Sequence, residues 1–470
     1  MNLIYQIGRL DRGCLNLVKF KKDCEIFEAS LSSLALKKYL ENQGEKTQLV
    51  IIYPISLPLN KTLLGAEFPL ELKEAINQCI NNPQVYLNNP EEFFKLLNSF
   101  QGKEEFIIIH SLGSYLGIDF RSSFDDIVLE IFIDMINRYL SLGFKNLYVD
   151  ISSGHNIYVT ALLEALRHFH TWVNLRNWAN DSKMPEIFVS FSDPILGNTE
   201  AQVFNLYWEE IKYKTFFSSP LSSEDAKGSF AQILTNLFGD NRQQKREVRP
   251  LLESFSLTFS AIKNNVPLVL YKYGYYDSKV IKEVFYSVLN HTYQTLYRNY
   301  KDSPILSKSS YTKTILALGF YWGISEILKI LRVHKDENND GVKIDEIKEK
   351  FEKIYEIFGL VINKQFLGTE LSNSSKKINE ALDDPDLSPE IKNKILSEEW
   401  VSLIDIHKDR KAGNPDPRNF FAHAGMEGNV TEARKQGSQI FVRIKDKYED
   451  SNGKVQDVAN LLKNWLYNEI

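Results

Sequence analysis

Cysteine is scarce: Cys14, Cys24 and Cys79 are the three in a chain of 470 residues. None forms a C-x-x-C pair or stands beside a pair of histidines, so neither a zinc site nor a disulfide framework is readable, and a reducing cytoplasm fits. Long apolar runs are missing as well. No stretch of about 18 uncharged apolar residues occurs, and the N-terminus opens on the strand-like Leu3-Ile4-Tyr5-Gln6-Ile7 instead of a signal peptide, so nothing suggests a membrane. Positive charge is not in excess: 56 Lys and Arg against 61 Asp and Glu leave a formal charge of −5. That balance argues against sequence-independent wrapping of nucleic acid, which rests on many contacts to phosphate, and any RNA contact must be local. After the first strand only Gly8 and Gly13 occur, so the G-x-G-x-x-G fingerprint of dinucleotide binding is absent, as are a G-x-S-x-G elbow and any internal repeat.

What is present is enough apolar material, 43% hydrophobic and 12% aromatic, to bury large cores in about two to three domains. Residues 1–200 alternate strand and helix. Leu3–Ile7, Leu49–Tyr53, Phe106–His110, Asn146–Ile151 and Ile187–Phe191 are apolar on both faces, as strands of a covered parallel sheet are. Phe27–Asn42, Phe124–Leu142 and Ile157–Trp178 are predicted helices, each long enough for a crossover. An α/β domain follows, with helices on both faces and ligands expected beyond the carboxyl ends of the strands. Three loops lie there: Gly8–Gly13, His110–Gly117 and Ser152-Ser153-Gly154-His155-Asn156. In the last, small residues admit a ligand to the backbone, N–H groups and hydroxyls suit phosphate or ribose, and Asn156 suits a base edge or a ribose oxygen. A plain strand-to-helix turn with serine caps is the competing explanation.

Residues 201–275 read as an intermediate or linker region. Phe204–Phe216 is strand-like, Ser218–Ser229 is a loop rich in Ser, Gly and charge, and Arg242, Lys245, Arg246 and Arg249 share one helix face before Pro250. That stripe is a candidate RNA contact or a solvated face. Residues 276–470 are predicted to be helical: Val280–Tyr300, Tyr311–Val333, Ile344–Phe358, Glu390–His407 and Asp457–Asn468, with a small hairpin over Gln439–Tyr448 followed by Asn452-Gly453. Asp336–Gly341 imitates the start of a calcium loop, but its twelfth position is Ile347, which supplies no carboxylate. His110, His291, His334 and His407 have no evident partners, and no metal ligand set is predicted.

The segment Asn414–Gly425 is the most informative. Asp416 is a good N-cap, Pro417 fits the first helical position, and Gly425 can close the turn in a left-handed conformation. Arg418 and His423 fall five positions apart on a helix barely two turns long, with Asn419 one turn before His423 to orient its ring and Phe420 and Phe421 as anchors. The short helix is expected to keep both polar groups near its positive end. RNA carries its own nucleophile, the 2′-hydroxyl, so cleavage without metal requires only a proton acceptor and a fixed positive charge. His423 suits the first role and Arg418 the second. A buried capping arginine and a core histidine are the alternative.

Arg418-Asn419-Phe420-Phe421-Ala422-His423 resembles the R-x4-6-H motif of HEPN ribonucleases, and its combination with the N-terminal sheet resembles the CRISPR-associated CARF–HEPN ribonucleases of type III systems. The resemblance implies a Rossmann-like CARF domain (1–200), a linker (201–275) and a helical HEPN domain (276–470). It implies a cytoplasmic, metal-independent endoribonuclease acting on single-stranded RNA and leaving 2′,3′-cyclic phosphates. Arg418, Asn419 and His423 would be its catalytic residues. It implies a homodimer, with larger assemblies open, whose paired HEPN motifs form one site. It also implies an allosteric activator, cyclic oligoadenylate and by preference cyclic tetra-adenylate, with no other cofactor. By position, the activator contacts would be Gly8, Arg9, Ser111, Tyr115, Ser152, Ser153, Gly154, His155 and Asn156. Two rivals stand beside this reading. One is a ligand-sensing transcriptional regulator, which would end in a basic helix-turn-helix. The other is a HEPN toxin independent of CRISPR signalling.

Overall fold

The computed structural model describes residues 1–195, 202–296, 300, 308–406 and 413–470. They form two compact units, residues 1–215 with 288–312, and residues 216–287 with 313–470.

In chain order the first unit contains β1 (Asn2–Ile7), β2 (Val18–Lys22), β3 (Glu25–Ala29), α1 (Ser32–Asn42), β4 (Thr47–Pro54), α2 (Leu70–Asn81), α3 (Pro83–Asn88), α4 (Pro90–Gln101) and β5 (Glu105–Ile109). It continues with β6 (Leu112–Tyr115), β7 (Ile118–Arg121), α5 (Phe124–Leu142), β8 (Asn146–Asp150), α6 (Asn156–Arg176), β9 (Glu186–Ser192) and β10 (Val203–Glu210). The sheet order is β3-β2-β10-β9-β8-β1-β4-β5, and the run from β9 to β5 is the expected parallel sheet. Every residue of β1 is buried, as a central strand requires. Alternation along β1 assigns the two faces: Ile4 joins the cluster built with α1–α4, whereas Tyr5 donates to Asp134 of α5 at 2.6 Å. Helices therefore cover both faces.

Three expectations change here. The start predicted for the first helix, Phe27, belongs to β3, whose Phe27 and Ala29 are buried at period two. The segment read as a linker supplies β10, which pairs antiparallel with β9 and parallel with β2, so the sheet has an antiparallel margin. The loop His110–Gly117 is half of a β6–β7 hairpin, turned at Leu116 and Gly117, both at positive φ.

The second unit begins with α7 (Ser223–Lys227), α8 (Ala231–Phe238), α9 (Arg242–Lys263) and α10 (Leu268–Tyr273), all within the expected linker and all with buried side chains. α9 does not stop at Pro250 but runs through it; the ring removes the bond to the carbonyl of Arg246, a residue exposed to water. α11 (Ser278–Leu296) and α12 (Lys308–Ile330) each contribute residues to both units. β11 (Val342–Lys343), α13 (Ile344–Ile357), α14 (Val361–Glu380), α15 (Pro389–Leu396), β12 (Val401–Ser402), α16 (Leu403–Ile406) and α17 (Pro417–Ala422) follow. The unit ends with β13 (Thr431–Gln436), β14 (Gln439–Ile444), β15 (Lys447–Glu449), β16 (Val455–Asp457) and α18 (Val458–Asn468).

The single helix predicted over Glu390–His407 is broken. Glu398 adopts φ +56°, and Val401–Ser402 pairs with β13 as the edge of an antiparallel sheet of order β11-β14-β13-β12. His407 lies outside the described residues, as do residues 297–299 near the end predicted for the Val280–Tyr300 helix. The single hairpin predicted is two: β13–β14 turns at Gly437-Ser438, and β15–β16 turns around Asn452-Gly453.

Candidate active site and sensor loops

The segment Asn414–Gly425 folds as its capping residues dictate. The Asp416 carboxylate accepts the Arg418 N–H at 2.8 Å, Pro417 is the first helical residue, and Phe420 is fully buried against the rings of Phe421 and Trp465. α17 ends after six residues. His423 is its C-cap, Ala424 and Gly425 take φ +52° and +83°, and the Gly425 N–H closes on the Phe420 carbonyl at 2.8 Å. His423 therefore stands at the C-terminal end of the helix, and the expectation that both polar groups share its positive end is corrected. The turn is too short to carry a side chain five residues on while staying in its first turn.

Arg418 is exposed, while His423 is about one-third exposed and lines an open groove of about 970 Å³ with Met426 and residues of α14. Arg418 does not line that groove. The ring of His423 is not oriented as expected. Asn419 contributes its carbonyl to the His423 N–H at 3.0 Å, but Nδ1 of the ring lies 3.0 Å from the Glu370 carboxylate on α14. Nothing in the sequence announces Glu370: it stands 53 positions upstream in a helix whose apolar contacts are sparse, Leu367, Leu371 and Ile378 being its buried residues.

The candidate sensor loops cluster at the carboxyl end of the sheet, where a buried polar network supports them. Asp150, at the end of β8, accepts from Ser32 Oγ at 2.9 Å, from Gln6 Nε2 at 3.0 Å, from the Ser152 N–H at 3.0 Å and from Ser190 Oγ at 3.2 Å. Burial raises its pKa, and these hydrogen bonds pull it back. Gln6 also donates to Ser153 Oγ at 2.9 Å, and Ser152 Oγ accepts the Ser192 N–H at 2.9 Å. The hydroxyls of Ser152 and Ser153 thus hold the turn, whereas His155 and Asn156, at the start of α6, are exposed.

Gly154 has φ +112°, and a Cβ there would meet Ile7 Cγ2 at 2.6 Å; the close approach it permits is to β1. Gly8 likewise has no room for a Cβ, which would lie 2.3 Å from the Tyr53 ring. Arg9 is held by Asp11 through two contacts of 2.8 Å. Ser111 is fully buried, with its Oγ accepting the Ser56 N–H at 2.9 Å, which removes it from any surface a ligand could touch. Tyr115 packs edge-on against Phe120 within the β6–β7 hairpin. His110 has a partner that sequence spacing did not reveal: its Nδ1 and N–H both meet the buried Glu130 of α5.

The basic stripe lies along the first turns of α9. Arg242, Arg246 and Arg249 are exposed, and Lys245 donates to Thr235 Oγ1 at 3.2 Å. Among the described residues no group of three or more His, Cys, Asp or Glu is placed to hold a metal ion, and no helix is long and apolar enough to cross a membrane.

Comparison with known families places these two sites in context. Residues 2–194 match the family model described as CRISPR system endoribonuclease Csx1, CARF domain, and residues 360–446 match CRISPR system endoribonuclease Csx1, HEPN domain. The first match spans β1 to β9 and the sensor loops and ends before β10, and the second contains α14, α17 and both ends of the R-x4-H segment. A search of curated proteins finds no match. The fold and the two matches define a protein in which a ligand-sensing CARF domain precedes a HEPN nuclease domain. The chain belongs to the CRISPR-associated CARF–HEPN ribonucleases. A transcriptional regulator ending in a helix-turn-helix does not fit, because the HEPN match stands where that module would be.

Proposed function

We propose that the chain is a metal-independent endoribonuclease for single-stranded RNA, switched on by cyclic oligoadenylate, with cyclic tetra-adenylate the preferred ring, within type III CRISPR defence. The observation that carries the nuclease reading is the capped helix α17, which sets Arg418 and His423 at its two ends inside the HEPN match. His423 Nε2 takes the proton of a 2′-hydroxyl as its oxygen attacks phosphorus. The bond from phosphorus to the 5′-oxygen breaks, that oxygen takes a proton from solvent water while His423 returns its own to solvent, and a 2′,3′-cyclic phosphate remains. Arg418 holds the non-bridging oxygens as negative charge builds on them. A positioned proton acceptor contributes on the order of 10²- to 10⁴-fold.

The reading includes a homodimer. Arg418 lies outside the groove that His423 lines, which suits a site completed by a second copy of α17. In the sensor unit, the exposed His155 and Asn156 at the α6 start are the proposed activator contacts, on a turn fixed from below by Gln6 and Asp150. A ring with two-fold symmetry makes the same contacts with both protomers, and its differential affinity for the active arrangement drives activation. Arg242, Arg246 and Arg249 are secondary RNA contacts under this reading.

The test is a cleavage assay on unstructured RNA with a panel of cyclic oligoadenylates, in excess chelator. Stimulation by one ring, cyclic phosphate ends, and loss of cleavage in Arg418→Ala and His423→Ala with activator binding retained are expected. Activity lost in chelator and restored by magnesium or manganese would overturn the metal-free mechanism. Equal cleavage with and without every ring would favour the toxin-like alternative.

A further inference from the structure

α14 runs beside the candidate active site with its two faces divided. Leu367, Leu371 and Ile378 are buried, while Glu370, Asn373, Ser374 and Lys377, spaced at i, i+3, i+4 and i+7, line the same groove as His423. Within that stripe Glu370 differs from its neighbours. Its side chain is only 17% exposed, and its Oε2 lies 3.0 Å from Nδ1 of His423, whose side chain is 37% exposed.

A carboxylate can only accept a hydrogen bond, so the proton in this contact belongs to Nδ1. A neutral imidazole with its proton on Nδ1 carries its lone pair on Nε2. The contact therefore fixes both the direction of the ring and the nitrogen left free to take a proton. We infer that Glu370 is a positioning residue for His423, holding Nδ1–H and presenting Nε2 to the 2′-hydroxyl of RNA. The inference rests on the reading of His423 as the proton acceptor. It adds a third group to the site, supplied by a helix 53 residues upstream.

The distances separate this role from a general structural one. A single part-buried hydrogen bond between this carboxylate and a half-open neutral ring contributes modestly to stability, so breaking it should leave the fold nearly unchanged while altering which tautomer the ring adopts. Elsewhere, an orienting carboxylate that fixes a catalytic histidine's tautomer contributes up to about 10⁴ in kcat. With His423 partly open to solvent, a loss of about 10- to 100-fold is expected here.

Glu370→Ala, Glu370→Gln and His423→Ala in the full-length protein test the inference, with cleavage measured at saturating cyclic tetra-adenylate. Glu370→Ala should lower kcat about 10- to 100-fold with KM for RNA within about two-fold, and Glu370→Gln, whose amide nitrogen can donate to Nδ1 and so favour the Nε2–H tautomer, should lose at least as much. Histidine-selective ¹⁵N labelling gives a readout independent of cleavage. Among the eight histidines, the signal missing in His423→Ala is assigned to His423. In the parent it should show the Nδ1–H tautomer, and in Glu370→Ala a shift toward the Nε2–H form. Full kcat in Glu370→Ala while His423→Ala is inactive, or an Nε2–H tautomer in the parent, would overturn the role of Glu370. Parental activity in His423→Ala would overturn the reading beneath it, and this inference with it.

Discussion

Gly154 rests directly on Ile7: a Cβ at position 154 would stand 2.6 Å from Ile7 Cγ2 and 2.7 Å from Ile7 Cβ, at a backbone φ of +112°. Ile7 is buried in the last position of the central strand, so neither side of this contact can give way cheaply. Gly154→Ala should therefore lower the stability of the protein by about 1–3 kcal/mol, from strain and overpacking together. Denaturant unfolding checks this, and a change within about 0.5 kcal/mol would show that the turn has room. Any activator affinity lost in this variant reports a displaced turn, not a missing ligand contact.

Asn156 is the cleaner probe of the sensor loop. It is exposed at the first position of α6, and Asn156→Ala removes polar atoms without disturbing the core. If the side chain meets the activator, each lost hydrogen bond costs on the order of 1–3 kcal/mol, and a two-fold ring loses it twice. Isothermal titration with cyclic tetra-adenylate should show a steep fall in affinity at unchanged thermal stability. Parental affinity would mean that Ser152–Asn156 is only a strand-to-helix turn.

The sequence is most legible where local chemistry decides structure. Strands buried on both faces, such as β1 and β4, announce themselves by their apolar cores, Leu3-Ile4-Tyr5 and Leu49–Tyr53, and Asp416, Pro417 and Gly425 mark the ends of α17. It is least legible where tertiary packing decides. α14 was not predicted, because Ser372, Asn373, Ser374 and Ser375 are weak helix formers and its apolar residues are few, so Glu370 could not be connected to His423. Ser111 looks like a ligand-facing serine in a loop, yet it is spent on the backbone of Ser56. The His110–Glu130 pair joins residues 20 positions apart on a strand end and a helix, a relation set by the sheet and not by spacing. Each of these is a contact between elements, and a single sequence carries no record of which elements meet.

The proposed dimer makes a concentration-dependent prediction. If cleavage needs one α17 from each of two protomers, specific activity should fall on dilution below the dimer dissociation constant, in step with the dimer fraction seen by analytical ultracentrifugation. A variant held monomeric should be inactive with Arg418 and His423 both present. Full activity in a proven monomer would remove the composite site.

Asp150 ties the sensor turn to pH. The side chain is fully buried, and burial raises its pKa above that of an ordinary aspartate despite the hydrogen bonds from Ser152, Ser32 and Ser190. A raised pKa in the folded state means that the folded protein holds this proton more tightly than the unfolded chain. The stabilisation is complete below the unfolded value, about 3.9, and is lost as pH rises through the folded value. Asp150→Asn cannot titrate. Its Oδ1 can still accept from Gln6, Ser32 and the Ser152 N–H, while its amide can donate to Ser190 Oγ. The stability of the parent minus that of Asp150→Asn should therefore decline as pH rises above about 4 and then level off. Glu130, whose pKa burial also raises, has the same sign of effect but is present in both proteins and cancels in the difference. Thermal unfolding of the two proteins across pH 4 to 8, a window chosen to start at about the ordinary aspartate value, makes the comparison. A flat difference would mean that Asp150 titrates in the fold as it does in the unfolded chain, and that the network at the end of β8 compensates its burial in full.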